Sequence, residues 1–388
     1  LKWLVRAGSW DHPPQWNLSA FLGFAVAVAY WPGIPSAAAV PRWAVLYVIV
    51  PLCLVFSNPQ RRCSVPRSAL AGFLAWAAVS LLWSPDPYGG FNEVAHFTVL
   101  TGAFVLGGNL VDVSPVMRGL SLGLTVSAVV CALRWLGVDL VTQNAASDIP
   151  AGLFFNSNML AELAAPVLVW GIVARAKVGW LLGPAACFAF ALDRAAALSS
   201  IAALAIFKVP RWFWLFWPFL FPVLLLVFLI MTEVGPDRLW SLDERLSIWS
   251  SALSGLTVFG RGAGSFMALF QAEYAHNDLL QALFEFGVAA LIPAAVLVYS
   301  LLRPQNDSAA RSAYLLLLLE GLVSFPLQLP ASGVLTMLLA GSLCASGGDL
   351  RGRKPGGGGE NSRGDRWPAS FSRIFGFRDW PGRADFPV

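Results

Sequence analysis

The chain has 388 residues, 57% hydrophobic and 12% charged, with a formal charge of +4 and a mean hydropathy of +0.65. Soluble domains carry about 25% charged residues, so this chain lacks the polar surface to face water on all sides. Its apolar runs are continuous rather than alternating, which argues against an outer-membrane barrel. The small basic excess needs no nucleic acid, because cytoplasmic loops of membrane proteins are ordinarily basic.

Apolar runs of about 15 to 24 residues, the length needed to cross a bilayer, predict spans over 18–31, 41–57, 67–83, 91–110, 116–136, 157–174, 178–192, 195–207, 211–231, 279–302, 309–326 and 330–345. About twelve spans make this an all-α polytopic membrane protein. The spans at 178–192 and 195–207 are short enough to be one broken hairpin. Residues 1–345 form the transmembrane domain, with one larger loop at about 232–278. Residues 346–388 are rich in Gly, Arg and Asp and read as a disordered cytoplasmic tail.

Basic residues alternate along the connections: Arg61 and Arg62, Arg118, Arg175 and Lys177, Lys208 and Arg211, and Arg303 and Arg311 all fall in or next to even-numbered ones. The positive-inside rule places these, and both termini, in the cytoplasm. Connections 32–40, 84–90, 137–156 and 327–329 are nearly free of basic residues and face outward. The loop at 232–278 faces outward too, yet holds Arg238, Arg245 and Arg261. Within it, 243–254 has the mixed pattern of a short interfacial helix.

Five scattered cysteines without CxxC spacing indicate neither a zinc site nor a disulfide framework. In Asn156-Ser157-Asn158, Ser157 or Asn158 is expected to cap the span that follows. Glu162 then lies about one turn inside, where a carboxyl is costly and a functional candidate. Arg194 and Arg245 offer forked, permanently charged donors suited to a pyrophosphate. Their plainer readings are ion pairs with Asp193 and with Asp243 or Glu244, or for Arg245 snorkelling. The run Gly260-Arg261-Gly262-Ala263-Gly264 is either an anion-binding nest or a tight turn. His276, one of three histidines, is a candidate general base, while Asn277 or Asp278 is placed to cap the next span.

Several segments, in order, carry a family resemblance. Ser80-Leu81-Leu82-Trp83-Ser84-Pro85-Asp86-Pro87, Asn156-x-Asn158-x-x-Ala161, Arg245-x-x-x-Trp249, Gly260-x-Gly262-x-Gly264-Ser265-Phe266, His276-Asn277-x-x-Leu280-Gln281 and Phe325-Pro326-Leu327-Gln328-x-Pro330 resemble the signature segments of the O-antigen ligase and polymerase superfamily. The resemblance runs from about residue 75 to 345. It implies a bacterial inner-membrane enzyme with its active site facing the periplasm. The enzyme would move a glycan from undecaprenyl pyrophosphate to a hydroxyl of an acceptor lipid-linked saccharide or glycan, inverting, without metal or cofactor. His276 would activate the acceptor, and Arg194, Arg245 and Arg261 would contact the pyrophosphate. Asn156, Asn158, Glu162 and Asn277 would support them. Asp193-Arg194-Ala195 stands where the family often has Ser-Arg-Gly, and Arg261 stands where a small or apolar residue is usual. A polymerase or a protein O-oligosaccharyltransferase would use the same donor. A transporter or flippase coupled through Glu93, Glu162 and Glu320 is the rival of another class.

Overall fold

The structure, a computed structural model, describes residues 14–32, 36–57, 67–110, 112–141, 150–154, 156–191, 193–206, 237–270, 274–303 and 307–345. The chain divides into Leu1–Gly348 and Asp349–Val388, and every described residue belongs to the first unit. The expected span 211–231 and the expected tail lie outside the described residues.

The elements run α1 (Pro14–Val28), α2 (Ala39–Phe56), α3 (Arg67–Ser80) with a 3-10 turn at Leu81–Trp83, α4 (Pro87–Asn109), α5 (Ser114–Trp135), α6 (Ser157–Val173), α7 (Val178–Ala191) and α8 (Arg194–Ile206). They continue with α9 (Asp237–Ser254), α10 (Ser265–Phe270), α11 (Asp278–Phe286), a 3-10 turn at Gly287–Ala290, α12 (Leu291–Leu302), α13 (Ser308–Glu320) and α14 (Pro330–Ala345). The described residues are all-helical, without a strand. Among the described residues, three helical stretches are long and apolar enough to cross a membrane: α2, α5 and the run Asp278–Leu302. Six further apolar helices are shorter. These helices make this a membrane protein.

Polar caps set where helices begin. The Asp86 carboxylate accepts from the Gly89 amide at 3.0 Å and Pro87 opens α4; Asp307 accepts from Ala310 at 2.9 Å to start α13. Asp193 accepts from Ala196 at 2.9 Å, so 178–207 holds two separate helices. The expected continuous span at 279–302 is interrupted. Gly287 has φ +61, and a Cβ there would lie 2.1 Å from the Val258 carbonyl oxygen. The loop backbone therefore docks at this point, with the Val288 amide donating to Val258 at 2.9 Å, and the helix breaks to admit it.

Glycines let helix backbones touch. On α5, a Cβ at Gly119 would fall 2.0 Å from the Ala20 oxygen of α1; on α14, one at Gly341 would fall 1.9 Å from the Phe104 oxygen of α4. In lipid there is no water to expel between apolar helices, so close backbone approach supplies the attraction. All of α14 is buried, and it forms the central post, with α4, α12 and α13 against it. α6 packs on α7 and α13.

Arg42 in α2 is 2% exposed. Its guanidinium donates to the carbonyls of Val26 (2.8 Å), Ala38 (2.7 Å), Ala27 and Leu153 (3.1 Å each) and lies 4.0 Å from the Phe154 ring centroid. The carbonyls at the end of α1, which lack intrahelical partners, are thereby satisfied.

Candidate functional site

The turn from Gly321 to Leu329 joins α13 to α14 and meets four other elements almost residue by residue. Gly321 accepts at its carbonyl from the Asp278 amide at 2.9 Å. Leu322 accepts from Asn277 Nδ2 at 2.9 Å and Val323 from Arg245 Nη1 at 3.0 Å. The Ser324 hydroxyl donates to Glu162 Oε1. The Phe325 ring stacks on Tyr274 with centroids 4.3 Å apart and meets the His276 ring edge-on at 4.9 Å. Finally, the Leu327 amide donates to Asp278 Oδ2 at 3.0 Å. Proline at 326 and at 330 removes two amide donors here, which suits a turn rather than a continuing helix.

His276 sits at φ +52, a left-handed backbone that costs a non-glycine residue about 1–2 kcal/mol. Its neighbours enforce that conformation. The Ala275 carbonyl accepts from Trp249 Nε1 at 2.6 Å, and the Ala275 amide donates to Gln281 Oε1 at 3.1 Å. On the other side, Asn277 Oδ1 accepts from the Leu280 amide at 2.9 Å and caps α11. The imidazole Nδ1 is buried without a hydrogen-bond partner. Desolvation, and then the Arg245 charge, lower the His276 pKa from 6.5 to about 4. The ring is therefore uncharged at neutral pH and keeps a lone pair for a proton.

Arg245 is half-buried and acts electrostatically on His276, Glu162 and Asp193. Asp193 is pushed above the usual carboxylate range by burial, against hydrogen bonds from Ala196 and Ala195 and the opposing pull of Arg245. The start of α8, with Arg194 as its first residue, thus comes beside this cluster. Glu162 is buried, bonded to Ser324, and faces Arg245 rather than lipid.

Other expected residues are placed differently. Arg261 is exposed; its Nε donates to the Gly255 carbonyl at 2.9 Å, and its amide to Phe284 at 2.9 Å. These bonds brace the loop, and no described contact brings Arg261 to His276. The glycine run is a tight turn, with φ of +78, +99 and +73 at Gly260, Gly262 and Gly264. Its amides are taken by the protein: Gly262 donates to the Glu285 carbonyl at 2.9 Å and Ala263 to Ser80 Oγ at 3.1 Å. The Gly264 and Phe266 amides reach the Glu285 carboxyl, so the donors of this turn are taken up by the protein itself. The cap of α6 is Asn156, accepting from the Asn158 amide at 2.8 Å, rather than Ser157 or Asn158, and Asn158 itself is exposed.

Ser324, Tyr274 and Phe325 were not singled out by residue type, yet Ser324 bonds Glu162, Phe325 meets His276, and Tyr274 stacks on Phe325. Among the described residues, no group of three or more His, Cys, Asp or Glu side chains is arranged to hold a metal. No family model matches this chain, and neither does any curated protein. The arrangement joins an uncharged imidazole, a guanidinium and a buried carboxyl on one turn. It is suited to taking a proton beside a bound anion.

Proposed function

We propose that this protein is a glycan transferase of the O-antigen ligase type. It moves a glycan from undecaprenyl pyrophosphate to the hydroxyl of an acceptor lipid-linked saccharide or glycan at the periplasmic face of a bacterial inner membrane. The observation that carries the reading is the convergence of His276, Arg245 and Glu162 on the turn 321–327. Pyrophosphate leaves readily, so the protein has chiefly to hold its charge and orient the acceptor. Arg245 and Arg194 serve the first need, and His276 takes the acceptor proton. Inversion follows from direct displacement of the pyrophosphate by the acceptor oxygen. The further parts of the reading are about twelve spans, cytoplasmic termini and an outward loop at 232–278; the alternation of Lys and Arg along the sequence supports them.

The deciding experiment supplies purified protein with undecaprenyl-pyrophosphate-linked glycan and a panel of acceptors, and asks which acquires sugar. Transfer to a lipid-linked saccharide supports ligase action. Extension of the donor glycan itself would make the protein a polymerase, and transfer to a protein serine or threonine would make it an oligosaccharyltransferase. No transfer to any acceptor would overturn the proposal.

One observation favours a second reading. Glu93, Glu162, Asp278, Glu285 and Glu320 each keep a buried carboxyl oxygen without a partner, as the coupling site of a transporter or flippase would. Proton-gradient-dependent movement of lipid-linked glycan across vesicles, without sugar transfer, would establish that alternative.

A further inference from the structure

Three carboxyls from three parts of the fold lie close together, and the Arg245 charge acts on two of them. Glu162 comes from α6, Glu320 from the end of α13 and Asp193 from the residue before α8, and the charges of all three act on one another. Glu320 is fully buried, and neither of its oxygens has a hydrogen-bond partner. Glu162 uses Oε1 on Ser324 and keeps Oε2 without a partner. Asp193 gives Oδ1 to the Ala196 amide. The other charged or titratable groups around them are Arg245 from α9, Arg194 in the first turn of α8, Asp278 at the start of α11 and His276 in the loop before it.

Bare buried carboxylates are costly, by several kcal/mol each, so protons are the natural occupants of this cluster. An anion settling on Arg245 would meet Glu162 and Asp193 across the same guanidinium, and Glu320 through those two. Like charges at that separation disfavour ionisation, and the coupling is reciprocal: a proton on the cluster strengthens anion binding as much as the anion strengthens proton binding.

We infer that Glu162, Asp193 and Glu320 form a proton site that fills as a pyrophosphate-bearing lipid settles on Arg245 and empties as that lipid leaves. The identity of the anion rests on the proposed transferase reading. In that reaction the acceptor O–H bond breaks as the new glycosidic bond forms, and the sugar–phosphate bond breaks with its electron pair going to the lipid pyrophosphate. One proton is set free and the departing lipid carries one more negative charge. His276 takes that proton, while the proton already on the cluster offsets the added charge until the lipid leaves.

The test is titration calorimetry of the detergent-purified full chain with undecaprenyl pyrophosphate, in buffers of different ionisation enthalpy, from neutral to alkaline pH. Wild-type protein is expected to take up a proton in the alkaline arm. Its Kd should rise there relative to that of Glu162→Gln/Glu320→Gln, towards the limit of about tenfold per pH unit for one linked proton. The ligand's own ionisation acts on both proteins alike and cancels in the comparison. Glu320→Gln alone, which disturbs no hydrogen bond of Glu320, should flatten the dependence in part and serves if the double variant fails to fold. Tight wild-type binding with buffer-independent heats would overturn this inference and leave the transferase reading standing. No binding at any pH would overturn both.

Discussion

At the scale of single residues, His276 is held in a strained conformation by partners on both sides, and its ring is kept uncharged by burial and by Arg245. Strain of this sort persists only where the surroundings over-determine it. His276→Ala should therefore lower transfer by about 100-fold or more, the scale of a general base, while the protein still reaches the membrane. Transfer at the wild-type rate would remove the residue from the chemistry. In the proposed reaction the neutral ring is the active form, so the acidic limb of the rate should fall near pH 4 rather than 6.5. Arg245→Met, which removes the neighbouring positive charge, should move that limb upward; an unmoved limb would sink the electrostatic link. Arg245→Lys keeps the charge but loses the fork, and a loss of roughly tenfold is expected. Arg261→Ala should leave transfer within about threefold of wild type, because Arg261 braces the loop at Gly255.

The site residues differ in how visible they are in the sequence. Histidine, arginine and glutamate stand out in an apolar chain because each is expensive there, and so His276, Arg245 and Glu162 were legible. Ser324 was not, because a hydroxyl is ordinary in such a chain, and Phe325 was legible only as part of a segment, not as a partner of His276. Their roles come only from tertiary contact with α6 and the loop. Arg42 was missed for another reason: it lies inside an apolar run and its donors are taken up by carbonyls distant in sequence.

At the scale of elements, glycine decides how near two backbones come. Gly262 combines φ +99 with an added-Cβ position 2.7 Å from Ser84 Cα, whereas a Cβ at Gly72 would meet nothing within 4 Å. Gly262→Ala should destabilise the detergent-solubilised protein by more than the ~1–2 kcal/mol of backbone strain alone. Gly72→Ala should melt as wild type does, and equal melting of both variants would show that the loop can yield. Helix positions were legible from apolar runs. The break at Gly287 was not, because it depends on a docking backbone more than twenty-five residues earlier, at Val258.

At the scale of the whole molecule, the site turn at 321–329 and the loop carrying His276 share one face, and α13 carries the chain away from it. The proposed orientation therefore predicts opposite exposure for two engineered cysteines. In a Cys63→Ser background, Ser254→Cys should react with an impermeant maleimide added from the periplasmic side. Ser308→Cys should react only after the inner membrane is opened. The reverse pattern would overturn the orientation.

Arg42 has a consequence for biogenesis. A guanidinium whose partners are main-chain oxygens, two of them from the preceding helix, meets no carboxylate among the described residues, so its segment enters the hydrocarbon as a bare cation unless that helix already stands alongside. The first two helices thus have to leave the insertion machinery as a joined pair. Leu153 and Phe154 close the other side of the guanidinium only once the later stretch has been synthesised. The order in which the ribosome delivers these segments is built into where one arginine finds its oxygens.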